Sequence, residues 1–276
     1  MSPLVIGLVL GAALLHASWN AILRAGADRL WSVTIMCAVS VVVAAPFLVL
    51  LPPPARASWP CIGLSSVLQV SYCFFLVRAY HHGGLTQVYP IARGTAPLLV
   101  TLGAAVVVGE RLTPAALAGV ALVSLGIMAL AFERAKLVAA STVYALVSGG
   151  FIAAYTVTDG VGARLAANPQ SYTVWLFIVQ GLGMIVAYLA VRRRLVLPRN
   201  GEMGRALIGG VLGMVAYGVV IWALARAPMG QVSALRETSI LFAGVLGALF
   251  LKEKVSLPRA GAAAMIAAGA VVLAAG

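Results

Sequence analysis

Apolar side chains run through this chain in ten long blocks, each closed by a short polar or chain-breaking stretch. The blocks cover 4–23, 31–51, 61–80, 85–108, 114–132, 137–158, 172–191, 206–225, 231–251 and 258–275. A helix needs about 20 apolar residues to cross the hydrocarbon core of a bilayer, and every block has close to that length. The breaks are marked by Pro52-Pro53-Pro54, His81-His82-Gly83-Gly84, Gly109-Glu110-Arg111, Asn168-Pro169, Pro198-Arg199-Asn200-Gly201 and Pro228. Connections this short leave no room for a soluble domain. The first block follows only Met1-Ser2-Pro3, with no basic stretch ahead of it, and outlasts a signal peptide. It therefore predicts a first membrane helix, and the whole pattern predicts an all-α integral membrane protein with ten transmembrane helices.

Composition agrees. The chain has 276 residues, 62% hydrophobic and only 9% charged, with a mean hydropathy of +1.05. A soluble domain carries about a quarter charged residues, so this surface is not one kept in water. The three cysteines, Cys37, Cys61 and Cys73, lie within or at the edge of apolar blocks and read as small buried hydrophobes rather than a disulfide framework. A net charge of +12 would suit nucleic acid, but here it is spread over short loops and reads as charge facing lipid headgroups. Loops on the N-terminal side carry Arg56, Arg111, Arg164 and Arg226, and the opposite loops hold most of the rest, Arg192-Arg193-Arg194 among them. The positive-inside rule then places both termini outside the cytoplasm.

The chain also repeats itself. Gln87-Val88 leads to Arg93-Gly94-Thr95 and then to Gly109-Glu110-Arg111-Leu112-Thr113. Further on, Gln231-Val232 leads to Arg236-Glu237-Thr238 and then to Lys252-Glu253-Lys254-Val255-Ser256. Both loop motifs run into a helix that begins near a proline, Pro114 or Pro258, and Tyr72 and Tyr217 echo each other in the preceding blocks. Each copy has five helices. An odd number sends the second copy in from the opposite face, so the repeat is inverted, with a central cavity expected between the halves.

Polar groups at membrane depth are expensive and are the first candidates for a site. In the first block, His16, Trp19 and Asn20 fall on one helical face with Ala13 and Leu23. They form either a clamp between helices or, as the bulk of Trp19 favours, the lining of a cavity. The third block presents Ser65, Gln69, Tyr72, Cys73, Leu76 and Tyr80 along one stripe, and the sixth presents Tyr144, Ser148, Ile152, Tyr155 and Asp159. Tyr80 and Tyr144 sit near block ends and suit the membrane interface. Tyr72 and Tyr155 lie mid-block, where aromatic rings with polar tips suit a flat organic substrate. Tyr89, Tyr217 and Trp222 complete the aromatic candidates.

Arg93 and Arg236 are the sharpest signal. Arginine stays charged, so inside a membrane it must meet a carboxylate, carbonyls or water. The pair either locks the halves together through an ion pair or receives a substrate carboxylate. Glu237 follows Arg236 directly and points about 100° away on a helix, so it is not automatically that arginine's partner. Pro90 and Pro97 flank Arg93 and predict a kink. The groups available for proton coupling are His16, Asp159 and Glu237. Glu237 is open to neutralisation by an arginine, Asp159 lies near a block end within reach of water, and a neutral His16 imidazole bonded to Asn20 would be satisfied in place. That set predicts a carrier able to run on the substrate gradient alone.

Other classes fit poorly. A hydrolase lacks its base and its Gly-x-Ser-x-Gly elbow, since the histidines are only His16, His81 and His82. No third ligand joins His81-His82 for a metal, and no phosphate-binding Gly-x-x-x-x-Gly-Lys loop is present for ATP. A channel would show a selectivity motif or rings of charge. The expectation is therefore a transport protein that is not an enzyme, with no cofactor, no metal and no nucleic-acid partner.

Two five-helix halves, His16-x-x-Trp19-Asn20 in the first helix and Gly109-Glu110-Arg111-Leu112-Thr113 closing the fourth resemble the drug/metabolite transporter superfamily, EamA type, over the whole chain. Within it, the bacterial aromatic amino-acid exporters are the most similar kind. The resemblance implies two EamA-type repeats, 1–136 (helices one to five) and 137–276 (helices six to ten). It implies a multi-pass protein of the bacterial inner (plasma) membrane that works as a monomer on a small-molecule substrate. Export of small amphipathic metabolites, aromatic or other neutral amino acids first, is the leading expectation. Proton-coupled export of cationic drugs is the alternative. Members usually hold both termini inside, whereas the charge count here puts them outside. The candidate substrate-binding residues are His16, Trp19, Asn20, Gln69, Tyr72, Tyr89, Arg93, Tyr155, Tyr217, Trp222, Arg236 and Glu237.

Overall fold

In lipid every backbone N–H and C=O must be paired within the protein, which restricts spanning segments to helices or closed barrels. The computed structural model describes residues 1–24, 28–82, 85–131, 138–193, 201–251 and 256–275, and its regular structure is helical throughout. The helices are α1 (Pro3–Arg24), α2 (Arg29–Ala44), α3 (Phe47–Leu50), α4 (Trp59–His82), α5 (Leu85–Val108), α6 (Pro114–Ala129) and α7 (Ala139–Leu165). They continue with α8 (Pro169–Arg192), α9 (Glu202–Leu224), α10 (Met229–Arg236), α11 (Ser239–Leu251) and α12 (Leu257–Ala275). The ten apolar blocks are all helical. Eight give spans long and apolar enough to cross a membrane, α6 is a shorter apolar helix, and α10 with α11 makes up the remaining block. The point where one half was expected to end, 136/137, lies outside the described residues.

Three blocks differ from their sequence pattern, each for a local reason. The second divides at Ala45-Pro46, since Pro46 has no N–H to donate into a continuing helix. The ninth divides at Glu237-Thr238, where backbone bonds shorten to the three-residue spacing, Glu237 to Ala234 and Thr238 to Leu235. The sixth runs on to Leu165, well past the expected end at 158, so Asp159 lies inside α7 rather than at its end. Its glycines allow this: a Cβ on Gly160 would lie 2.6 Å from Sδ of Met229, so α7 packs there against the start of α10. α5 is one helix through both Pro90 and Pro97.

The packing is reciprocal between the halves. α1 lies along α9 and against α10 and α11, while α7 lies along α4 and α5. Each half thus inserts its first helix among the third and fourth spans of the other. The fifth spans pair directly, α6 on α12, through small residues. A Cβ on Gly269 would lie 2.8 Å from the carbonyl oxygen of Gly119, which only glycine tolerates at this approach. Exposed apolar side chains such as Val49 and Leu257 then face outward, as a lipid-facing surface requires.

One end of the bundle is closed. Val5, Val9, Val100, Val120, Val157, Leu224, Val232 and Leu273 form a continuous apolar core there, contributed by both halves. At the rim, Glu110 beyond α5 pairs with Arg164 of α7 and accepts the free Met229 N–H that opens α10 (2.8 Å). Arg164 also donates to the carbonyls of Leu224 and Ala227, both at 3.0 Å. The loop motif read in the sequence therefore ties α5, α7, α9 and α10 together. At the other end Asp28 caps α2 and pairs with Arg192 at 2.8 Å.

Candidate functional site

A cavity of about 290 Å³ lies between the closed core and the end that holds the C-terminus of α1. That is the low end of the range for small-molecule pockets and suits one compact organic molecule. Its wall includes His16, Trp19 and Asn20 from α1, Gln69, Tyr72, Cys73 and Leu76 from α4, and Tyr89 and Arg93 from α5. Tyr155 of α7, Tyr217 of α9 and Arg236 of α10 close it from the second half. Ten of the twelve candidate residues thus line one space, although they are spread over six helices.

The other two lie elsewhere. Trp222 is outside the wall: its ring stacks under the guanidinium of Arg226 at 4.3 Å and packs on the apolar core. Five residues beyond Tyr217, it points about 140° round the helix from the cavity-facing side. Glu237 does not reach the cavity either. It is fully buried behind the wall, where its Oε2 lies 2.7 Å from Nε of Arg93 and its Oε1 lies 3.5 Å from Nε of Arg236. The break between α10 and α11 turns Glu237 toward α5, so the residue beside Arg236 in sequence is bound most closely to the other arginine.

Arg93 is further engaged. Its Nη2 lies 3.1 Å from Nε2 of His16, and its Cζ is 5.9 Å from the Tyr89 ring centroid. Guanidinium has only donors, so Nε2 of His16 must accept and the imidazole carries its hydrogen on Nδ1. Asn20 does not hold that ring as expected: its amide donates to the backbone oxygen of His16 at 2.8 Å. The ring of Trp19 meets the imidazole edge-on at 5.0 Å.

Asp159 forms a second polar centre under the cavity floor. It is fully buried, not watered at a helix end, and its Oδ1 accepts from the Tyr172 hydroxyl at 2.8 Å. Its Oδ2 accepts from the Tyr217 hydroxyl and, at 3.4 Å, from the Gln69 amide. Tyr217 and Gln69 also face the cavity, so this carboxylate positions two wall residues while staying off the wall itself. Tyr155 stacks edge-on between Tyr72 and Tyr217, each at 6.1 Å, and completes an aromatic band.

The sequence reading passed over α2 and α8. Met36, Cys37 and Ser40 of the former and Phe177, Gln180 and Met184 of the latter all line the cavity. Gln180 was findable, as a lone amide mid-block between apolar residues; it donates to Cys37 Sγ at 3.5 Å. The methionines carry no such mark. Cys37 and Cys73 are free thiols on the wall and part buried, where buried small hydrophobes were expected. Among the described residues no cluster of histidine, cysteine and carboxylate groups could hold a metal. Tyr80, His81 and His82 have side chains outside the described set.

Comparison with known proteins now decides the family. The EamA-like transporter family matches twice, over residues 3–132 and again over 140–275. The chain belongs to the EamA-like transporter family. The double match gives this transporter the two repeated halves that the packing shows. A solved crystal structure superposes on it with a TM-score of 0.81, covering 98% of each chain at 19% identity, which establishes a shared fold. No curated protein matches the sequence. As a member of this family the protein is a multi-pass membrane transporter.

Proposed function

We propose that this EamA-like transporter is a secondary carrier that exports small amphipathic metabolites bearing a carboxylate, aromatic and other neutral amino acids foremost. The observation that carries the reading is the character of the wall. Aromatic rings and the amides of Asn20, Gln69 and Gln180 surround a space that two arginines border, with one buried carboxylate, Glu237, between them. A flat apolar body fits the rings, and an anionic group answers the excess guanidinium charge. Export of cationic compounds has less support. A cation-binding wall needs an accessible carboxylate, and Asp159 and Glu237 are both fully buried and already engaged. The same engagement, with His16 held against Arg93, supports a carrier that runs on the substrate gradient, and a monomer is the proposed working unit. A bacterial inner membrane is the proposed setting.

Reconstituted proteoliposomes test this. Labelled phenylalanine should enter by counterflow without an imposed pH gradient, and a quaternary ammonium compound should not. Transport of the cation alone would reverse the assignment, and phenylalanine uptake that required a pH gradient would end the facilitator reading.

A further inference from the structure

We infer that Arg236, rather than its repeat counterpart Arg93, receives the substrate carboxylate, and that this carboxylate is the one charged group the cavity recognises. The inference rests on reading the cavity as the transport site and goes further by fixing which atoms of the substrate matter.

The two arginines occupy equivalent places in the repeat but not equivalent surroundings. Arg93 has neighbours on three sides, Glu237 at 2.7 Å in an ion pair, His16 at 3.1 Å from Nη2 and the Tyr89 ring, and its Nη2 donates to His16. Arg236 is 3% exposed, has Glu237 no nearer than 3.5 Å, and its Nη2 has no hydrogen-bond partner among the described residues. Arg236 lines the cavity, a buried guanidinium nitrogen with nothing to donate to is costly, and an oxyanion is the group that satisfies a guanidinium best. Charge points the same way. Two guanidinium groups face one carboxylate, so the cluster holds a single surplus positive charge, and one substrate carboxylate neutralises it.

An amino acid also brings an ammonium. Among the described residues the wall offers it rings, hydroxyls and amide oxygens but no carboxylate, because Asp159 already accepts from Tyr172, Tyr217 and Gln69 behind the wall. The ammonium is therefore tolerated, not read. It follows that an arylalkyl carboxylate lacking the amino group binds about as well as the amino acid, whereas the amide of that amino acid, which keeps the ammonium and loses the anion, binds poorly.

Competition against labelled phenylalanine in proteoliposomes tests both halves of the inference, with 3-phenylpropionate and phenylalaninamide as probes. In the unaltered protein 3-phenylpropionate should compete within about threefold of phenylalanine, and phenylalaninamide at least tenfold more weakly. Two double variants keep the surplus charge while leaving a single arginine. R93Q/E237Q leaves Arg236 and should keep the acid-over-amide preference, whereas R236Q/E237Q leaves Arg93 and should lose it. Thermal unfolding in detergent reports whether each variant is folded, and direct binding of labelled 3-phenylpropionate to folded variants gives a second readout. Equal competition by acid and amide, or a preference that follows Arg93, would overturn the inference while leaving amino-acid transport standing. Absence of phenylalanine transport alongside Arg236-dependent binding of 3-phenylpropionate would instead remove the amino-acid assignment and sustain the inference. If neither compound binds, both fall.

Discussion

The fourth span of one half and its counterpart in the other share a few matched polar residues and end as different structures. Arg93-Gly94-Thr95 lies within α5, an unbroken helix despite two prolines, while Arg236-Glu237-Thr238 sits where α10 stops and α11 begins. The residue between arginine and threonine serves a different purpose in each. A Cβ on Gly94 would lie 2.5 Å from Cγ of Met128 and 3.0 Å from the carbonyl oxygen of Ser124, so glycine lets α5 press against α6. At the matching place Glu237 carries a charge, turns inward and supplies the counterion for both arginines. The two copies keep the arginine and the threonine, and between them one copy places a glycine that serves packing and the other a glutamate that serves electrostatics.

Removing the shared counterion is the most severe way to break this asymmetry. Glu237→Ala leaves two buried guanidinium groups uncompensated, and loss of one member of a buried ion pair costs about 3–5 kcal/mol. The unfolding temperature in detergent should fall sharply and transport should vanish. A variant as stable as the parent would mean that the arginines find other partners and that Glu237 is not the hub. Gly94→Ala sharpens the packing side of the contrast. Overpacking of this kind costs about 1–3 kcal/mol, so stability should drop while the acid-over-amide preference of surviving protein is kept. An altered preference at unchanged stability would place Gly94 in the site instead. At the small end, Trp222→Phe keeps an apolar ring on the core and removes nothing from the cavity, so counterflow should stay within about twofold of the parent. A large loss of affinity would return Trp222 to the wall from which its place on α9 excludes it.

The fold was legible because membrane spans declare themselves by length. Both limits of α5 and the start of α6 follow from the sequence pattern, and the inverted repeat follows from the polar residues matched between halves. The features missed at the two buried carboxylates share one cause: their partners come from other helices. Asp159 looked like the end of a block because its partners Tyr172, Tyr217 and Gln69 come from three other helices. Glu237 was left open to pairing with either arginine because nothing local shows that α10 lies beside α5. Most of the site was nevertheless visible, since polar and aromatic side chains at membrane depth stand out against an apolar background. Met36 and Met184 do not stand out, and they emerged only when α2 and α8 were seen to complete the enclosure.

The central claim is that substrate occupies this cavity, and two native thiols allow it to be tested with almost no alteration of the protein. Cys37 and Cys73 border the cavity, and Cys61 does not. With Cys61 replaced by serine, a small methanethiosulfonate reagent should modify the two remaining thiols in proteoliposomes. Phenylalanine added in excess should slow that modification several-fold, and modification should in turn block counterflow. Labelling at an unchanged rate while phenylalanine is being transported would show that the substrate passes elsewhere and would contradict the account.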